Sequence, residues 1–384
     1  MENERKSMRK KTGLAIIYDP HNVHQFLWWY CTYGKDMEWY ALCLPNSYKG
    51  EYLSSSCEQL GIFTKVFKDT LPFDAMPIIK RLRLFCKMFL YALFGQQKKF
   101  CKRFIGSYID NLDFDTAVIL TDVGFISGMF CQFAKEKEIV ILEDGTGDYS
   151  IRKWLNIFSH IYNFFDFQGF ILSLLGYSNT GHYFPLRTTN NCVKFCSHPE
   201  KMVYKKYKEM KLLFDMSLTD EVLFQKYTSL LYPDLDKFFV EKKQLIFFTM
   251  PLTDCVTNPE PFIKITEDYI TSHFMSVLIK RHPRDKAVYN FGENILVSEI
   301  DQRIPAEVIL PYLKGMNIIF MQNSSTNLYM DAFNYKPQFF YYNQLHAESK
   351  KEKNILNQYP ARDEFDKNIS FISSNIDVIE LNIS

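Results

Sequence analysis

A chain of 384 residues is too long for one simple hydrophobic core, so its length predicts two domains. Its composition, 47% hydrophobic and 23% charged, is that of a folded globular protein and excludes a disordered or collagen-like chain. With 45 Lys and Arg against 44 Asp and Glu, the net charge of +1 provides no general attraction to nucleic acid, which excludes nucleic acid as a partner.

The amino-terminal segment leads directly into a first strand. Residues 1–12 are basic, and the apolar run that follows, Gly13–Tyr18, is too short for a signal peptide. No stretch of about 20 apolar residues occurs, so no membrane-spanning helix is predicted. The nine cysteines are odd in number and scattered, which indicates a reducing compartment. We therefore expect a cytoplasmic protein.

Short apolar or aromatic runs alternate along the chain with longer segments that suit helices. In the first half the predicted strands are Leu14–Tyr18, Trp39–Leu44, Thr116–Leu120, Ile139–Leu142 and Asn191–Cys196. In the second half they are Leu245–Thr249, Ser276–Ile279, Asn317–Phe320 and Gln338–Tyr342. Strands separated by helices favour parallel sheets, so the two series predict an α/β protein with two doubly wound halves.

Two longer apolar segments each have two interpretations. Ile78–Phe104 interleaves apolar residues with Lys and Arg, which suits either a buried helix with a solvated basic face or an amphipathic helix on an anionic membrane. Leu155–Tyr177 is interrupted by polar residues and suits either a core helix or a membrane or dimer contact.

The region Lys201–Lys243 predicts a helical connection between the two halves, ending near Tyr232-Pro233-Asp234. The domains predicted from it are 1–235 and 236–384. In an open parallel sheet the ligand crevice lies at the carboxyl ends of the strands, so the loops that follow the strands are the candidate sites.

The first candidate loop, Glu143-Asp144-Gly145, follows the strand Ile139–Leu142. Glycine allows the backbone to turn sharply there, and a carboxylate in such a loop can serve as a general base. A polar turn at the end of a strand is the alternative interpretation.

The second candidate loop follows Ser276–Ile279 and surrounds one histidine with charge: Lys280, Arg281, His282, Pro283, Arg284 and Asp285. A histidine in this position can donate a hydrogen bond or a proton to a phosphate. Pro283 suits the first position of a helix, so a helix is predicted to begin there. The other His-Pro pair, His198-Pro199, has no comparable charged surroundings and is interpreted as structural.

Two further segments suit nucleotide contacts. Pro305-Ala306-Glu307 places a carboxylate at the start of an apolar helical run, where the helix dipole alone also favours it. Ser324, Ser325 and Thr326 follow the strand Asn317–Phe320 and would form an anion site at a helix N-terminus, with N-capping as the alternative. Cys192, Cys196 and His198 supply only three loosely spaced ligands, so neither a metal nor a cofactor is predicted.

In combination these motifs, Glu143-Asp144-Gly145, Lys280-x-His282-Pro283, Pro305-Ala306-Glu307 and Ser324-Ser325-Thr326, resemble those of bacterial sialyltransferases with the GT-B fold. They are most similar to glycosyltransferase family 52, which contains lipooligosaccharide and capsule sialyltransferases. The resemblance covers Glu143 to Thr326, and roughly the first 130 residues match no such motif. It implies two Rossmann-like domains facing a central cleft, with acceptor binding in 1–235 and CMP-sugar binding in 236–384.

The resemblance also implies roles for single residues. Asp144 matches the general base, and His282 matches the histidine that contacts the leaving phosphate. Asp254 and Glu260 compete with Asp144, because family 52 places its base upstream of the His-Pro motif. Ser324 and Ser325 would hold the phosphate of CMP, Glu307 the ribose hydroxyls, and Lys280 would lie near the nucleoside. The substrate-binding set is completed by Glu143, Gly145, Pro283, Arg284 and Thr326.

The activity implied is an inverting, metal-independent transfer of sialic acid from CMP-sialic acid to a sugar hydroxyl, with galactose of a lipooligosaccharide, O-antigen or capsule as the expected acceptor. A UDP-glucose-dependent transferase of the same fold is one alternative. A catalytically silent protein that docks onto a membrane or partner is the other. Peripheral contact with the inner face of the cytoplasmic membrane and a homodimer are left open as further interactions.

Overall fold

The computed structural model describes residues 10–18, 20–44, 50–68, 77–119, 125–143, 175, 177, 192–202, 209–241, 243–282, 284–302, 304–321, 325–351, 359–372 and 376–383. The chain divides into two compact units, Met1–Leu231 and Tyr232–Ser384. The boundary expected from the sequence, between 235 and 236, lies in a 3-10 helix of the second unit, Leu235–Phe238.

The first unit is built on a parallel sheet of seven described strands in the order β3-β2-β1-β4-β5-β6-β7. The strands are β1 (Thr12–Ile17), β2 (Glu38–Cys43), β3 (Phe63–Lys68), β4 (Thr116–Ile119), β5 (Glu138–Ile141), β6 (Cys192–Cys196) and β7 (Glu209–Leu212). Every residue of β1, β4 and β6 is buried. This is the pattern of strands that are covered on both faces, and it explains their continuous apolar sequences.

Helices cover this sheet. They are α1 (Pro20–Trp29), which continues as a π-helix (Tyr30–Gly34), α2 (Gly50–Leu60), α3 (Ile78–Leu93), α4 (Gln97–Gly106), α5 (Phe125–Phe133) and α6 (Glu221–Leu231). One core cluster joins Leu14 and Ile16 of β1 to Ile105 of α4 and Phe130 of α5. These buried side chains fix the helices on the sheet.

Gly13 of β1 lies directly opposite Trp39 of β2. A Cβ atom at Gly13 would lie 2.3 Å from the Trp39 ring. That ring is fully buried, donates a 2.7 Å hydrogen bond from Nε1 to the Gly34 carbonyl, and has edge-to-face contacts with Phe26 and Trp29. Because the ring is held on several sides, only glycine fits opposite it.

The segment Ile78–Phe104 forms two helices, so the sequence interpretation of one continuous helix is wrong. Gly95 adopts φ 66° directly after α3 and its C-cap. Its N–H donates to the Ala92 carbonyl at 3.0 Å, and the next N–H, of Gln96, donates to the Tyr91 carbonyl at 2.8 Å. This pair of bonds is the Schellman ending that glycine favours, and it separates α3 from α4.

The second unit contains a parallel sheet of six described strands in the order β10-β9-β8-β11-β12-β13. They are β8 (Leu245–Phe248), β9 (Ser276–Lys280), β10 (Leu296–Ile300), β11 (Asn317–Phe320), β12 (Gln338–Tyr342) and β13 (Asp377–Leu381). The helices are α7 (Leu252–Cys255), α8 (Glu260–His273), α9 (Ala306–Ile309), α10 (Leu345–Lys351) and α11 (Arg362–Ile372). When the strands of each sheet are numbered from the first one in the chain, both sheets contain the order 3-2-1-4-5-6. This is the doubly wound arrangement of nucleotide-binding folds.

All nine strands predicted from the sequence are confirmed within one or two residues at each end. Four strands were missed: β3, β7, β10 and β13. Each of them carries charged residues and is partly exposed, because all four are edge strands of the two described sheets. The helical connection predicted over Lys201–Lys243 is also wrong where the structure describes it, because 209–212 form the strand β7 and the one α-helix among the described residues of this range is α6.

The predicted helix Leu155–Tyr177 lies outside the described residues except for Leu175 and Tyr177. Tyr177 is fully buried beside α3, and its hydroxyl donates to the Met88 carbonyl at 3.0 Å. Within the described parts of the chain, no helix combines the length and the apolar character that crossing a bilayer requires.

We expect Gly13→Ala to lower the free energy of unfolding by roughly 1–3 kcal/mol, because the added methyl group overpacks the fixed Trp39 ring. Urea unfolding measures the change. In a Trp39→Leu background, where the ring is absent, the same substitution should cost much less, and an equal cost in both backgrounds would contradict the steric explanation.

Candidate functional site

The topology of the second unit places three loops at one edge of its sheet. β8, β9 and β11 are neighbours or next neighbours and run parallel, so the residues that follow them emerge at the same edge. The strand order reverses between β8 and β11, which is where ligands bind in open sheets of this kind. The loops concerned begin at Thr249, Arg281 and Met321.

His282 is held by its backbone and by one ring nitrogen. Its N–H donates to Thr249 Oγ1 at 3.1 Å, and its Nδ1 accepts the Arg284 N–H at 3.2 Å. In the neutral ring the hydrogen must therefore be on Nε2, because Nδ1 is an acceptor. Burial lowers the pKa of His282, as do the charges of Arg284 and Lys280, while Asp254 opposes them. His282 thus offers a neutral Nε2–H donor at pH 7.

The loop around His282 is organised by Asp285, which the sequence analysis placed in this loop without giving it a role. Its carboxylate is buried, accepts the Ala287 N–H at 3.0 Å, and lies 3.4 Å from the Tyr289 hydroxyl. The Thr249 hydroxyl also bonds to it, and burial raises its pKa. Thr249 therefore joins the buried Asp285 carboxylate to the backbone of His282.

The helix predicted to begin at Pro283 is wrong for the described residues around it: Arg284 is in a turn and 285–290 are irregular. The reason is the Asp285 side chain, which binds the backbone two residues ahead and so competes with helical hydrogen bonds. Pro283 itself lies outside the described residues.

Arg284 and Asp254 form an ion pair, with Nη1 and Oδ2 3.0 Å apart. Asp254 belongs to α7, directly after β8, and its charge acts on His282. The Arg284 side chain is largely exposed, so the pair contributes little to stability, on the order of 0–1 kcal/mol. The structure thus brings three residues from the sequence analysis together: Asp254, His282 and Arg284.

Lys280 and Glu307 are both buried and act electrostatically on one another. Lys280 ends β9, and its Nζ donates to the Arg281 carbonyl at 2.9 Å. Burial lowers its pKa to about 8, against the opposing effects of Glu307, Asp301 and Glu299. Glu307 lies in the first turn of α9, after Pro305, as the sequence predicted. The structure therefore places these two candidates within electrostatic reach of one another in the second unit.

The remaining candidates of this unit are more dispersed. Glu260 is exposed at the first residue of α8, where its charge acts on Glu267 of the same helix. Ser325 begins a five-residue 3-10 helix, Ser325–Tyr329, in place of the expected α-helix. A second short 3-10 helix follows and ends at Asn334, in the left-handed conformation. Thr326 is buried, whereas Ser324 and the Ser325 side chain lie outside the described residues.

In the first unit, Glu143 is fully buried at the end of β5. Its carboxylate accepts the Ser197 N–H, and its carbonyl accepts a hydrogen bond from Gln25 Nε2. Lys194 of β6, also buried, donates to the neighbouring Leu142 carbonyl at 2.9 Å. Glu143 therefore joins the ends of two adjacent strands. Asp144 and Gly145 lie outside the described residues.

The cysteines are free thiols. Cys192 and Cys196 are buried in β6, and His198 Nδ1 lies 3.3 Å from Glu200 Oε1. Across the described ranges, no three His, Cys, Asp or Glu side chains are grouped as metal ligands. Cys192, Cys196 and His198 are thus not grouped as ligands of a metal ion.

The chain is similar to known glycosyltransferases. Residues 98–343, more than half of the chain, match the model of the alpha-2,8-polysialyltransferase (POLYST) family. No curated relative matches by sequence. Among solved structures, an alpha/beta-galactoside alpha-2,3-sialyltransferase from Photobacterium phosphoreum is 13% identical, with a TM-score of 0.50 over 96% of this chain and 99% of that one. A sialyltransferase from Photobacterium damsela is 11% identical, with a TM-score of 0.45 over 96% and 81%.

At such low identity the structural likeness shows the fold alone, and the fold is GT-B, as the resemblance implied. The family-model match carries the stronger conclusion, because it covers the His282 loop, Glu307 and the serine segment. The resemblance to bacterial sialyltransferases is confirmed.

The buried Lys280 predicts a distinctive pH dependence of stability. Its pKa is about 8 in the folded chain and 10.5 as the unperturbed value, so between these pH values Lys280 binds more protons in the unfolded state, and the contribution of this residue to the free energy of unfolding rises with pH. We expect the change in the free energy of unfolding from pH 7.5 to 10.5 to be roughly 3 kcal/mol less positive in Lys280→Met than in the wild type, as urea unfolding would measure. Lys264→Met, on an exposed lysine, should keep the wild-type change; identical curves for wild type and Lys280→Met would contradict the assignment.

Proposed function

The chain belongs to the alpha-2,8-polysialyltransferase family, and on that premise we propose that it transfers sialic acid from CMP-sialic acid to a hydroxyl of a bacterial surface glycan. That the protein is a glycosyltransferase of sialyltransferase type follows from the family. The donor, the inverting course and the independence from metal are parts of the proposal. The family description names alpha-2,8 linkages, so the acceptor we favour is the O8 hydroxyl of a sialic acid, with galactose as the alternative.

The observation that carries the proposal is the hydrogen bond at Nδ1 of His282, which determines the tautomer of the neutral ring. Its Nδ1 is an acceptor for the Arg284 N–H, which leaves Nε2–H as the donor. Lys280 and Arg284 supply positive charge near the ring. An anionic phosphate bound at Nε2 would raise the depressed pKa of His282, because a nearby negative charge favours the protonated ring. His282 would then stabilise, and on protonation neutralise, the departing phosphate.

The same unit supplies further donor contacts. We propose that Glu307 accepts the ribose hydroxyls and that Lys280, its buried partner, lies near the nucleoside. Ser324, Ser325 and Thr326 would bind the phosphate after β11, the strand at which the sheet order reverses. Pro283 of this unit and Gly145 of the first unit keep the substrate-binding roles that the resemblance implies. Glu143, also of the first unit, is buried and would act by holding the ends of β5 and β6 together.

The reaction then needs one proton acceptor and one stabilised leaving group. The acceptor oxygen forms a bond to the anomeric carbon of sialic acid, the bond from that carbon to the CMP phosphate breaks, and the acceptor proton passes to a carboxylate. A positioned base contributes about 10²–10⁴-fold, and each donor on the developing charge about 10²–10³-fold. A monophosphate leaving group carries less charge than a diphosphate, which lessens the need for a divalent cation.

Asp144 is the base we propose, with Asp254 and Glu260 as alternatives. The position of Asp254 supports this role, because its charge acts on His282 and its Oδ2 lies 3.0 Å from Arg284 Nη1. Glu260 is exposed at the first turn of α8, where the dipole of the helix is sufficient to favour a carboxylate.

We expect CMP to bind without metal and at least about tenfold more tightly than UMP. A site that accepts hydrogen bonds from the cytosine amino group would leave its acceptor atoms unpaired when uracil is bound. Isothermal calorimetry with CMP, UMP and UDP in EDTA measures this preference. His282→Ala should lower turnover by about 10²-fold or more, while His273→Ala, on an exposed histidine of α8, serves as the matched control. Tight UDP binding with weak CMP binding would instead support the UDP-glucose-dependent alternative.

The base is identified by comparing Asp144→Asn, Asp254→Asn and Glu260→Gln. The variant that removes the base should lose about 10²–10⁴-fold in turnover with CMP affinity nearly unchanged, because the base acts on the acceptor. Mass spectrometry of the product from CMP-sialic acid and a sialylated or galactosyl oligosaccharide gives the turnover. Glu293→Gln, at an exposed carboxylate, controls for surface charge. Near-wild-type turnover of Asp144→Asn would move the role to Asp254 or Glu260.

A further inference from the structure

Among the described residues, those that pack against the helix α3 lie on one side of it. Its inward residues, Leu84, Phe85, Met88, Tyr91 and Ala92, recur at spacings of three and four and contact a core cluster with Phe100, Cys101 and Met129. Met88 is fully buried in this cluster. The inward face therefore accounts for the attachment of α3 to the first unit, and it requires nothing of the opposite side.

The opposite side of α3 is apolar and exposed. Ile78 is 74% exposed, Leu93 is 64% exposed, and Phe94 at the end of the helix is 74% exposed. The other exposed apolar residues of this face are Ile79, Leu82, Cys86, Phe89 and Leu90. Spacings of three and four place these residues in one stripe along the helix. A stripe this continuous marks a contact surface, since scattered single apolar residues would not line up.

One edge of the stripe is basic. Lys80, Arg83 and Lys87 recur at spacings of three and four and are all exposed, between the apolar stripe and the inward face. Residues 75–109 contain eight Lys and Arg and no Asp or Glu. On α4, Lys99, Lys102 and Arg103 are also exposed, whereas Lys98 forms an ion pair with Glu136. The surface of α3 and α4 therefore combines apolar side chains with positive charge alone.

We propose that α3 lies in the surface of an anionic membrane. A helix of 16 residues is about 24 Å long, and placed parallel to the bilayer it would insert its apolar stripe below the headgroups. Lys80, Arg83 and Lys87 would then extend to the lipid phosphates with their aliphatic chains along the boundary. Each basic residue near an anionic leaflet strengthens binding about fivefold, so the three together supply about a hundredfold.

The charge pattern favours a membrane over a second copy of the chain. In a two-fold symmetric contact the same surface faces itself. The two copies of α3, in which all charged residues are Lys or Arg, would then lie against one another. Like charges held together disfavour that contact, and residues 75–109 offer no carboxylate to compensate. An anionic bilayer complements both the apolar stripe and the charge.

The test uses the purified full chain and flotation with vesicles of phosphatidylethanolamine and phosphatidylglycerol, compared with phosphatidylcholine vesicles. We expect binding to the anionic vesicles that weakens as salt increases. The triple variant Leu82→Ser, Phe89→Ser, Leu93→Ser should bind at least about tenfold more weakly. The variant Lys80→Gln, Arg83→Gln, Lys87→Gln should bind about a hundredfold more weakly to anionic vesicles.

Matched controls are Leu218→Ser, Val222→Ser, Leu230→Ser for exposed apolar residues and Lys10→Gln, Lys11→Gln, Lys226→Gln for exposed cations. These should bind like the wild type, and all variants should unfold at the wild-type urea midpoint. Transfer to a water-soluble acceptor should also stay unchanged, which separates this proposal from the proposed function. Equal binding to neutral and anionic vesicles, absence of binding, or a serine variant that loses only self-association in light scattering would overturn the proposal.

Discussion

The rest of the structure depends on the burial of parallel strands on both faces. Strands such as β1 and β4 expose no residue, so each sheet must be covered by helices, and every connection must cross over before the next strand begins. This constraint brings the carboxyl ends of β8, β9 and β11 to one edge, although their loops are separated by about 30 to 40 residues in the chain. Thr249, His282 and Met321 come together in space for this reason.

At that edge the protein buries charge. Asp285, Lys280 and Glu307 are all removed from water, which is costly for isolated charges and is offset here by hydrogen bonds and by opposite charges. Tyr289 extends this network to the next loop. Its hydroxyl lies 3.4 Å from the Asp285 carboxylate and 3.3 Å from the sulfur of Met321, the first residue after β11. Such an arrangement fixes the donors and charges before a ligand arrives, which is how electrostatic stabilisation of a leaving group becomes effective.

The sequence was informative where physical signals were strong. Continuous apolar runs identified the central strands, but β10 and β13 carry Glu and Asp on half-exposed edges and lack that signal. The sequence motifs selected His282, Lys280 and Glu307 as candidates, and the sheet topology places the segments that contain them at the end of β9 and after the neighbouring strand β10. The motifs could not identify Asp285 as the organiser of the His282 loop, since a buried carboxylate cannot be distinguished from a solvated one in a charged segment. Nor could residue types alone show that Gly95 divides α3 from α4, because an isolated glycine is also tolerated within a helix.

Natural selection acts differently on substitutions in the two faces of α3. Substitutions on the inward face would open cavities around Met88, so folding itself removes them from a population. The outward face is exposed from Ile78 to Phe94, and polar residues there would leave the folded state intact. Genetic drift should therefore make this face polar in any lineage in which it serves no purpose. Comparison of the two faces among descendants of a common ancestor would then separate what the fold requires from what the cell requires.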